Sequence, residues 1–266
     1  MRLKDRVAIV VGAGQSPGEG VGNGRATALT FAREGAKVLC VDRNLASAEE
    51  TVALIKQGQG TAVPFQADVT KDADIKAMVA DAHQRWGRID ILHNNVGVSI
   101  SGGDAELLDI TEEAFDRCTA INLKSTILAC KAVIPVMRQQ KSGAIVNISS
   151  MAVITTYPYV AYKATKAAMV AFTEQLAYQN AKYGIRANVI LPGLMNTPMA
   201  VDTRAREFKK SRAQVEAERD AQVPLRGKMG TGWDVANAAL FLASEEANFI
   251  TGVTLPVDGG ASVRRG

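Results

Sequence analysis

The residues best suited to chemistry are Tyr162 and Lys166, four positions apart in Tyr162-Lys163-Ala164-Thr165-Lys166. On a helix that spacing stacks a phenol and an ammonium on one face. A tyrosine with a reference pKa of about 10 exchanges protons poorly at neutral pH, and a cation one turn away favours its phenolate. The pair therefore reads as an acid/base device. The plainer alternative is a half-buried tyrosine and a solvated lysine that share a helix face. What surrounds the pair decides between them, and a serine pair, Ser149-Ser150, lies a dozen residues upstream.

Such a device works only if rigid elements hold it. Short β-branched runs predict strands over residues 7–11, 37–41, 62–66, 89–93, 144–148, 186–191 and 253–257. Helical periodicity fills the intervals over 26–33, 46–56, 72–86, 111–137, 161–183 and 233–242. The strands are apolar almost throughout, which suits burial on both faces. This alternation predicts an α/β fold of the Rossmann type, a doubly wound, parallel, seven-stranded sheet with helices on both faces. No linker, repeat or shift in composition divides residues 1–266, so a single domain is expected.

A composition of 47% apolar and 22% charged residues forms a core and excludes disordered and fibrous classes. The net charge of +4 is slight and spread along the chain without interleaved aromatics, which argues against nucleic acid as a partner. The first apolar run, residues 7–11, is too short for a signal core or a membrane span, so a cytoplasmic protein with no membrane partner is expected. Cys40, Cys118 and Cys130 are odd in number and share no ligand spacing, and His83 and His93 lack a third partner. Neither a metal site nor a Ser-His-Asp triad is expected.

Strand 7–11 runs into Gly12-Ala13-Gly14-Gln15-Ser16-Pro17-Gly18-Glu19-Gly20-Val21-Gly22-Asn23-Gly24 and then into a helix. Glycines there let the backbone approach a pyrophosphate, and the helix N-terminus offers free N–H groups to hold it. Asp42 closes the second strand, where a carboxylate accepts both adenosine ribose hydroxyls and repels a 2′-phosphate. NAD is expected over NADP, although the Arg43 guanidinium next door could pair with that phosphate.

Together these motifs resemble the short-chain dehydrogenase/reductase family over nearly the whole chain. To the glycine-rich turn and the Tyr-x-x-x-Lys pair the chain adds Asp68-Val69 after the third strand and Asn94-Asn95-Val96-Gly97 after the fourth. It also has Asn122 in Ile121-Asn122-Leu123, Ser149-Ser150, Pro192-Gly193 followed by Thr197, and Val257-Asp258-Gly259-Gly260. The resemblance implies that Gly12, Gly22, Asn23, Gly24 and Asp42 bind the cofactor, that Asp68 and Val69 border its adenine, and that Asn95 lies along it. It implies that Thr197 meets the nicotinamide carboxamide. A serine would steady the substrate oxygen, Tyr162 would pass the proton, Lys166 would bind the nicotinamide ribose and lower the tyrosine pKa, and Asn122 would position a relay water. The activity implied is hydride transfer between NAD(H) and a small-molecule secondary alcohol or ketone, in a homotetramer.

Three departures leave alternatives. Read from the strand, Ser150 aligns with the family's catalytic serine, whereas counting back thirteen from Tyr162 gives Ser149; Ser150 is preferred because a deletion fits a loop better than a strand end. The glycine turn carries a six-residue insertion, with registers starting at Gly12, Gly14 or Gly18, of which Gly12 with Gly22-Asn23-Gly24 is preferred. Tyr159 and Lys166 are seven apart, the spacing of enoyl reductases in the same superfamily. An enoyl-thioester reductase, a 3-oxoacyl-carrier-protein reductase and a redox-inactive dinucleotide sensor are therefore the competing readings. The family places a mobile lid over 198–226, with Arg204, Arg206, Lys209, Lys210, Arg212, Arg219 and Arg226 set against five acids. Either an anionic substrate or a solvated amphipathic helix pair held by i,i+4 ion pairs accounts for that charge. Pocket walls are expected from 98–103, 153–159 and 194–199, mostly apolar or small, which suits a hydrophobic or cyclic alcohol.

Overall fold

The β-branched run Val7–Val11 forms β1, and its alternating side chains enter different cores. Ala8 and Val10 pack on one face of the sheet, Ile9 and Val11 on the other, all of them buried. The structure is a computed structural model that describes residues 1–264. β1 is followed by α1 (Asn23–Arg33), β2 (Lys37–Asp42), α2 (Leu45–Gln57), β3 (Thr61–Gln66), α3 (Asp72–Trp86) and β4 (Ile91–Asn94). Next come α4 (Glu112–Thr119), α5 (Ser125–Gln140), β5 (Gly143–Ile148), α6 (Val160–Asn180), β6 (Ile185–Pro192) and β7 (Met195–Asn196). The chain ends with α7 (Pro198–Glu207), α8 (Arg212–Asp220), β8 (Gly230–Thr231), α9 (Gly232–Ala243) and β9 (Thr254–Val257).

Seven strands make one parallel sheet in the order β3-β2-β1-β4-β5-β6-β9. This is the Rossmann-type arrangement expected. α1, α2 and α9 cover one face through Phe31, Val52, Ile55 and Leu240; α3, α5 and α6 cover the other through Met78, Val133, Met137 and Leu176. The direction of winding reverses between β1 and β4, which opens a crevice at the carboxyl ends of the strands. At that level Asn94 donates to Asn147 (2.9 Å) and Asn147 to Thr173 (2.9 Å), a buried polar ladder that ties β4 and β5 to α6.

Two features were not expected from the sequence. β7 and β8 pair as a separate two-stranded ribbon beneath the lid. Between α4 and α5, residues Ala120–Lys124 form a π-helical turn, so that Glu112–Gln140 is one continuous helix. That helix is long and apolar enough to cross a bilayer, but Ala129, Cys130, Val133 and Met137 lie in the core beside the sheet. α7 and α8 have a small core of their own, Val201, Val215, Val223 and Met229.

Candidate active site

A cleft of about 1290 Å³ runs across the carboxyl ends of the strands, from Asp42 and Asp68 at one end to the lid at the other. Its floor is the glycine turn. Gly12 has φ +82°, and a Cβ on Gly24 would lie 1.8 Å from the Gly12 carbonyl oxygen, so α1 can start this close to β1 only with glycine at that position. Asn95 donates its Nδ2 to the same carbonyl (3.2 Å) and fixes it. Asn23, in the first turn of α1, holds a buried Oδ1 with no donor among the described residues, in the wall of the cleft.

Asp42 accepts from the Gly14 amide (3.1 Å) and the Asn44 amide (2.9 Å), one on each carboxylate oxygen, which leaves lone pairs free toward the cleft. Gly14 thus belongs to the cradle although it was not selected from the sequence: a Cβ there would meet Asp42 Oδ2 at 2.8 Å. A glycine-rich cradle, helix amides, an unsatisfied acceptor and a strand-end carboxylate together fit a nicotinamide dinucleotide. Asp68 and Val69 line the cleft as well, and hydrogen bonds from the Thr70 hydroxyl (2.7 Å) and amide hold the Asp68 carboxyl below its usual pKa. The inserted segment folds over the entry to α1, where Gln15 accepts from the Gly22 amide (3.1 Å), and it reaches the lid through Glu19 and Arg212 (3.6 Å).

The other half of the site is built on α6. The first N–H groups of a helix lack partners within it, and here Asp104 accepts from the Ala161 (2.9 Å) and Tyr162 (3.0 Å) amides. That carboxylate, 58 residues away in sequence, fixes where α6 begins and hence where Tyr162 points. Its separation from α6 left no local signal by which to find it. Asp104 also accepts from Ser99 Oγ (3.2 Å), which in turn lies 2.9 Å from the Tyr157 hydroxyl. The Tyr157 ring stacks on Tyr162 with centroids 5.4 Å apart.

Burial pushes the Tyr162 pKa up to about 12, against a hydrogen bond with Ser150 that pulls it down. The two serines separate cleanly. Both border the cleft, but Ser149 is buried and donates its hydroxyl to the Lys166 carbonyl (2.8 Å), a packing bond between β5 and α6, whereas Ser150 meets Tyr162. Lys166 is only 2% exposed, donates to the Ile148 carbonyl (2.7 Å) and lies 5.9 Å from the Tyr162 ring centroid. Burial lowers its pKa to about 7. The expected lowering of the tyrosine pKa by this lysine is therefore outweighed in the protein alone, because desolvation penalises both charged forms at once.

Asn122 is wholly buried in the π-helical turn. It accepts from the Val98 amide (2.7 Å) and donates to the Val98 carbonyl (2.9 Å) and to Thr165 (3.2 Å), so its side chain braces the strand β4 exit against α6. Gly97 fills the gap between: a Cβ there would sit 3.1 Å from Lys166 Nζ. Thr197 lines the cleft and caps α7, accepting from the Ala200 amide (3.3 Å). Tyr159, the candidate at seven-residue spacing, precedes α6, packs edge-on against Tyr157 and is not part of the cleft wall. The walls expected from the sequence do line the cleft, through Val98, Ile100, Ile154, Tyr157, Leu194 and Met199. Arg204 and Arg219 join them from the lid.

With this geometry in place, similarity to known proteins is informative. A family model described as enoyl-(acyl carrier protein) reductase matches residues 19–262. The chain is 37% identical over 261 residues to 2-(S)-hydroxypropyl-CoM dehydrogenase 3 of Xanthobacter autotrophicus, covering 97% of each chain. It is 37% identical over 263 residues to 2,5-dichloro-2,5-cyclohexadiene-1,4-diol dehydrogenase of Sphingobium indicum, covering 98% of each. A crystal structure described as a short-chain dehydrogenase/reductase from Burkholderia xenovorans superposes with a TM-score of 0.93 at 43% identity, covering 100% of this chain and 99% of that one.

Proposed function

The chain belongs to the short-chain dehydrogenase/reductase family, and from that premise we propose that it is an NAD-dependent enzyme interconverting a secondary alcohol and a ketone. The observation that carries this reading is that Ser150, Tyr162 and Lys166 share one cleft with the Gly12, Gly24 and Asp42 cradle. NAD, when bound, supplies the hydride acceptor that no side chain can provide. In oxidation the Tyr162 phenolate takes the hydroxyl proton as hydride leaves the same carbinol carbon; in reduction the phenol returns it. Ser150 has one hydroxyl proton, which it shares with Tyr162 in the protein alone and donates to the substrate oxygen when substrate is bound. Lys166 keeps one Nζ proton on the Ile148 carbonyl and has two left for the nicotinamide ribose hydroxyls. Its charge stabilises the phenolate. Asn122 holds the Val98 backbone that frames this corner.

Asp42 makes NAD the better partner than NADP, since a 2′-phosphate would meet a carboxylate already seated against Gly14. The apolar walls suit a hydrophobic or cyclic carbon skeleton, in keeping with the cyclic diol named for the Sphingobium relative. Enoyl-thioester reduction is the second reading, favoured by the description of the matching family model. It ranks lower because Tyr159 lies outside the cleft wall while Ser150 and Tyr162 lie in it. A 3-oxoacyl-carrier-protein reductase would use this same Ser-Tyr-Lys chemistry on a longer substrate, and a redox-inactive sensor has no need of it. The test is a screen of cyclic secondary alcohols with NAD and NADP followed by NADH absorbance. Turnover with NAD at least about tenfold above NADP is expected, one pairing of charge being worth about 1.4 kcal/mol or more. Reduction of an enoyl thioester with no alcohol turned over would overturn the reading.

The proposal extends to a single domain over residues 1–266, with 198–226 as its lid. A homotetramer is expected to bury the free β9 edge and the neighbouring Phe249, which is 99% exposed. Light scattering at the mass of a monomer would remove the tetramer.

A further inference from the structure

Four cations of the lid fall into two contrasting pairs. Arg212 is saturated, pairing with Asp202 (2.5 Å) and Glu216 (3.1 Å) and donating to Asn196 (2.6 Å), and Lys210 pairs with Glu218 (2.6 Å). These are the ion pairs of an ordinary amphipathic helix hairpin. Arg204 and Arg219 differ, for both line the cleft and neither forms an ion pair among the described residues.

Arg219 is the more informative of the two. It is 9% exposed, and its Nε faces the Met229 sulfur (3.2 Å) while Nη2 reaches the Met195 carbonyl only at 3.5 Å. A guanidinium carries five donors, and two are used here, so the others are open to the cleft that Arg219 lines. Burial, joined by the Arg204 charge nearby, draws its pKa down to about 10. Two like charges near enough to oppose each other are costly unless an anion joins them. Among the described residues Arg204 donates only to its own helix, at the Ala200 carbonyl (2.9 Å). The carboxylates in the cleft wall, Asp42 and Asp68, stand at its adenosine end. Asp104, which faces Tyr157 and Tyr162, is occupied by the Ala161 and Tyr162 amides and Ser99. The Arg204 charge is felt at both tyrosines, which places the two arginines at the reacting end of the cleft.

Building on the alcohol/ketone reading above, we propose that the substrate carries a carboxylate or comparable oxyanion, which Arg204 and Arg219 hold while its carbinol carbon lies at Tyr162. Guanidinium groups suit this task because their paired N–H donors match the two oxygens of such a group. Closure of the lid would then depend on the substrate's own charge, since both arginines belong to α7 and α8.

The test compares a hydroxycyclohexanecarboxylate with its carboxamide in NAD-linked turnover, and measures by calorimetry the binding of unreactive cyclohexanecarboxylate and its carboxamide to the protein saturated with NAD. The wild type should prefer the acid by about 10- to 100-fold in kcat/KM, the range for a charge-assisted hydrogen-bonded pair. Arg204→Gln and Arg219→Gln should each remove about tenfold of that preference through KM, with a clearly smaller loss on the carboxamide. Arg204→Gln lies in a half-exposed position and serves if Arg219→Gln does not fold. No preference for the acid, or equal losses on acid and amide, overturns the proposal. So does weakened NAD binding with the acid preference intact, which would assign the arginines to the cofactor's pyrophosphate. Arginine-dependent binding of the acid without turnover of either alcohol would keep the anion site and reject the oxidoreductase reading. Turnover of the amide with no preference for the acid would do the reverse.

Discussion

Tyr162→Phe is expected to lower kcat/KM for alcohol oxidation by about 10²- to 10⁴-fold, the usual contribution of a positioned acid/base. NAD binding and melting temperature should be retained. The Tyr162 ring is held by stacking on Tyr157 and by the backbone bond to Asp104, and phenylalanine keeps both. Only the hydroxyl that meets Ser150 is lost. The effect must therefore appear in chemistry rather than in cofactor affinity or folding. Ser150→Ala should produce a smaller loss in the same direction, since the serine shares the substrate oxygen but carries no transferable charge. Ser149→Ala should instead cost stability, because its hydroxyl bonds the Lys166 carbonyl inside the core. Steady-state kinetics with calorimetric NAD titration checks all three. Full activity in Tyr162→Phe together with inactivity in Tyr159→Phe would shift the site to the seven-residue spacing and the chemistry to enoyl reduction.

The parts of this site that were legible in the sequence are those fixed by local chemistry. β1 ends in Gly12 because a positive φ and an uncluttered approach to α1 leave no other residue, and such a constraint is visible one residue at a time. The seven strands were readable because burial on both faces demands continuous apolar runs such as Val7–Val11. Asp72–Trp86 was readable because its ends carry acidic residues at the start and Gly87 at the stop. What escaped depends on contacts distant in the chain. The π-helical turn at Ala120–Lys124 has no signature of its own, and its consequence is to seat Asn122 against Val98 and Thr165. Asp104 looked like any loop acid, since its partners are 57 and 58 residues away. The charges of the lid could be counted, but only packing reveals that Arg212 is paired and Arg219 is not.

Lys166→Met is expected to make the protein more stable and the enzyme far slower. The lysine pKa falls from 10.5 in the unfolded chain to about 7 in the folded one because the ammonium is desolvated. Between those values the unfolded chain holds the extra proton, so stability rises with pH across about 7 to 10.5, each unit being worth about 1.4 kcal/mol. Methionine removes that proton linkage. Its stabilising effect should be largest at and below neutral pH and should vanish as pH approaches 10.5, a trend that thermal melts across pH would record. Activity moves the other way. Oxidation requires the Tyr162 phenolate, so its rate climbs with pH, whereas reduction requires the phenol and falls at high pH. A unit charge about 6 Å from the ring is worth about 3 kcal/mol at an effective dielectric of 20, or about two units on the tyrosine pKa. Losing it should lower oxidation by up to about 100-fold below about pH 7, where the ammonium is charged, and the difference should shrink as the lysine deprotonates above that value. That loss should exceed the loss of reduction at low pH, where the phenol is already protonated. A variant that is both less stable and unshifted in its pH profile would show Lys166 to be a structural residue. Stability gained where activity is lost would mark the burial of this lysine as a cost the fold carries for chemistry.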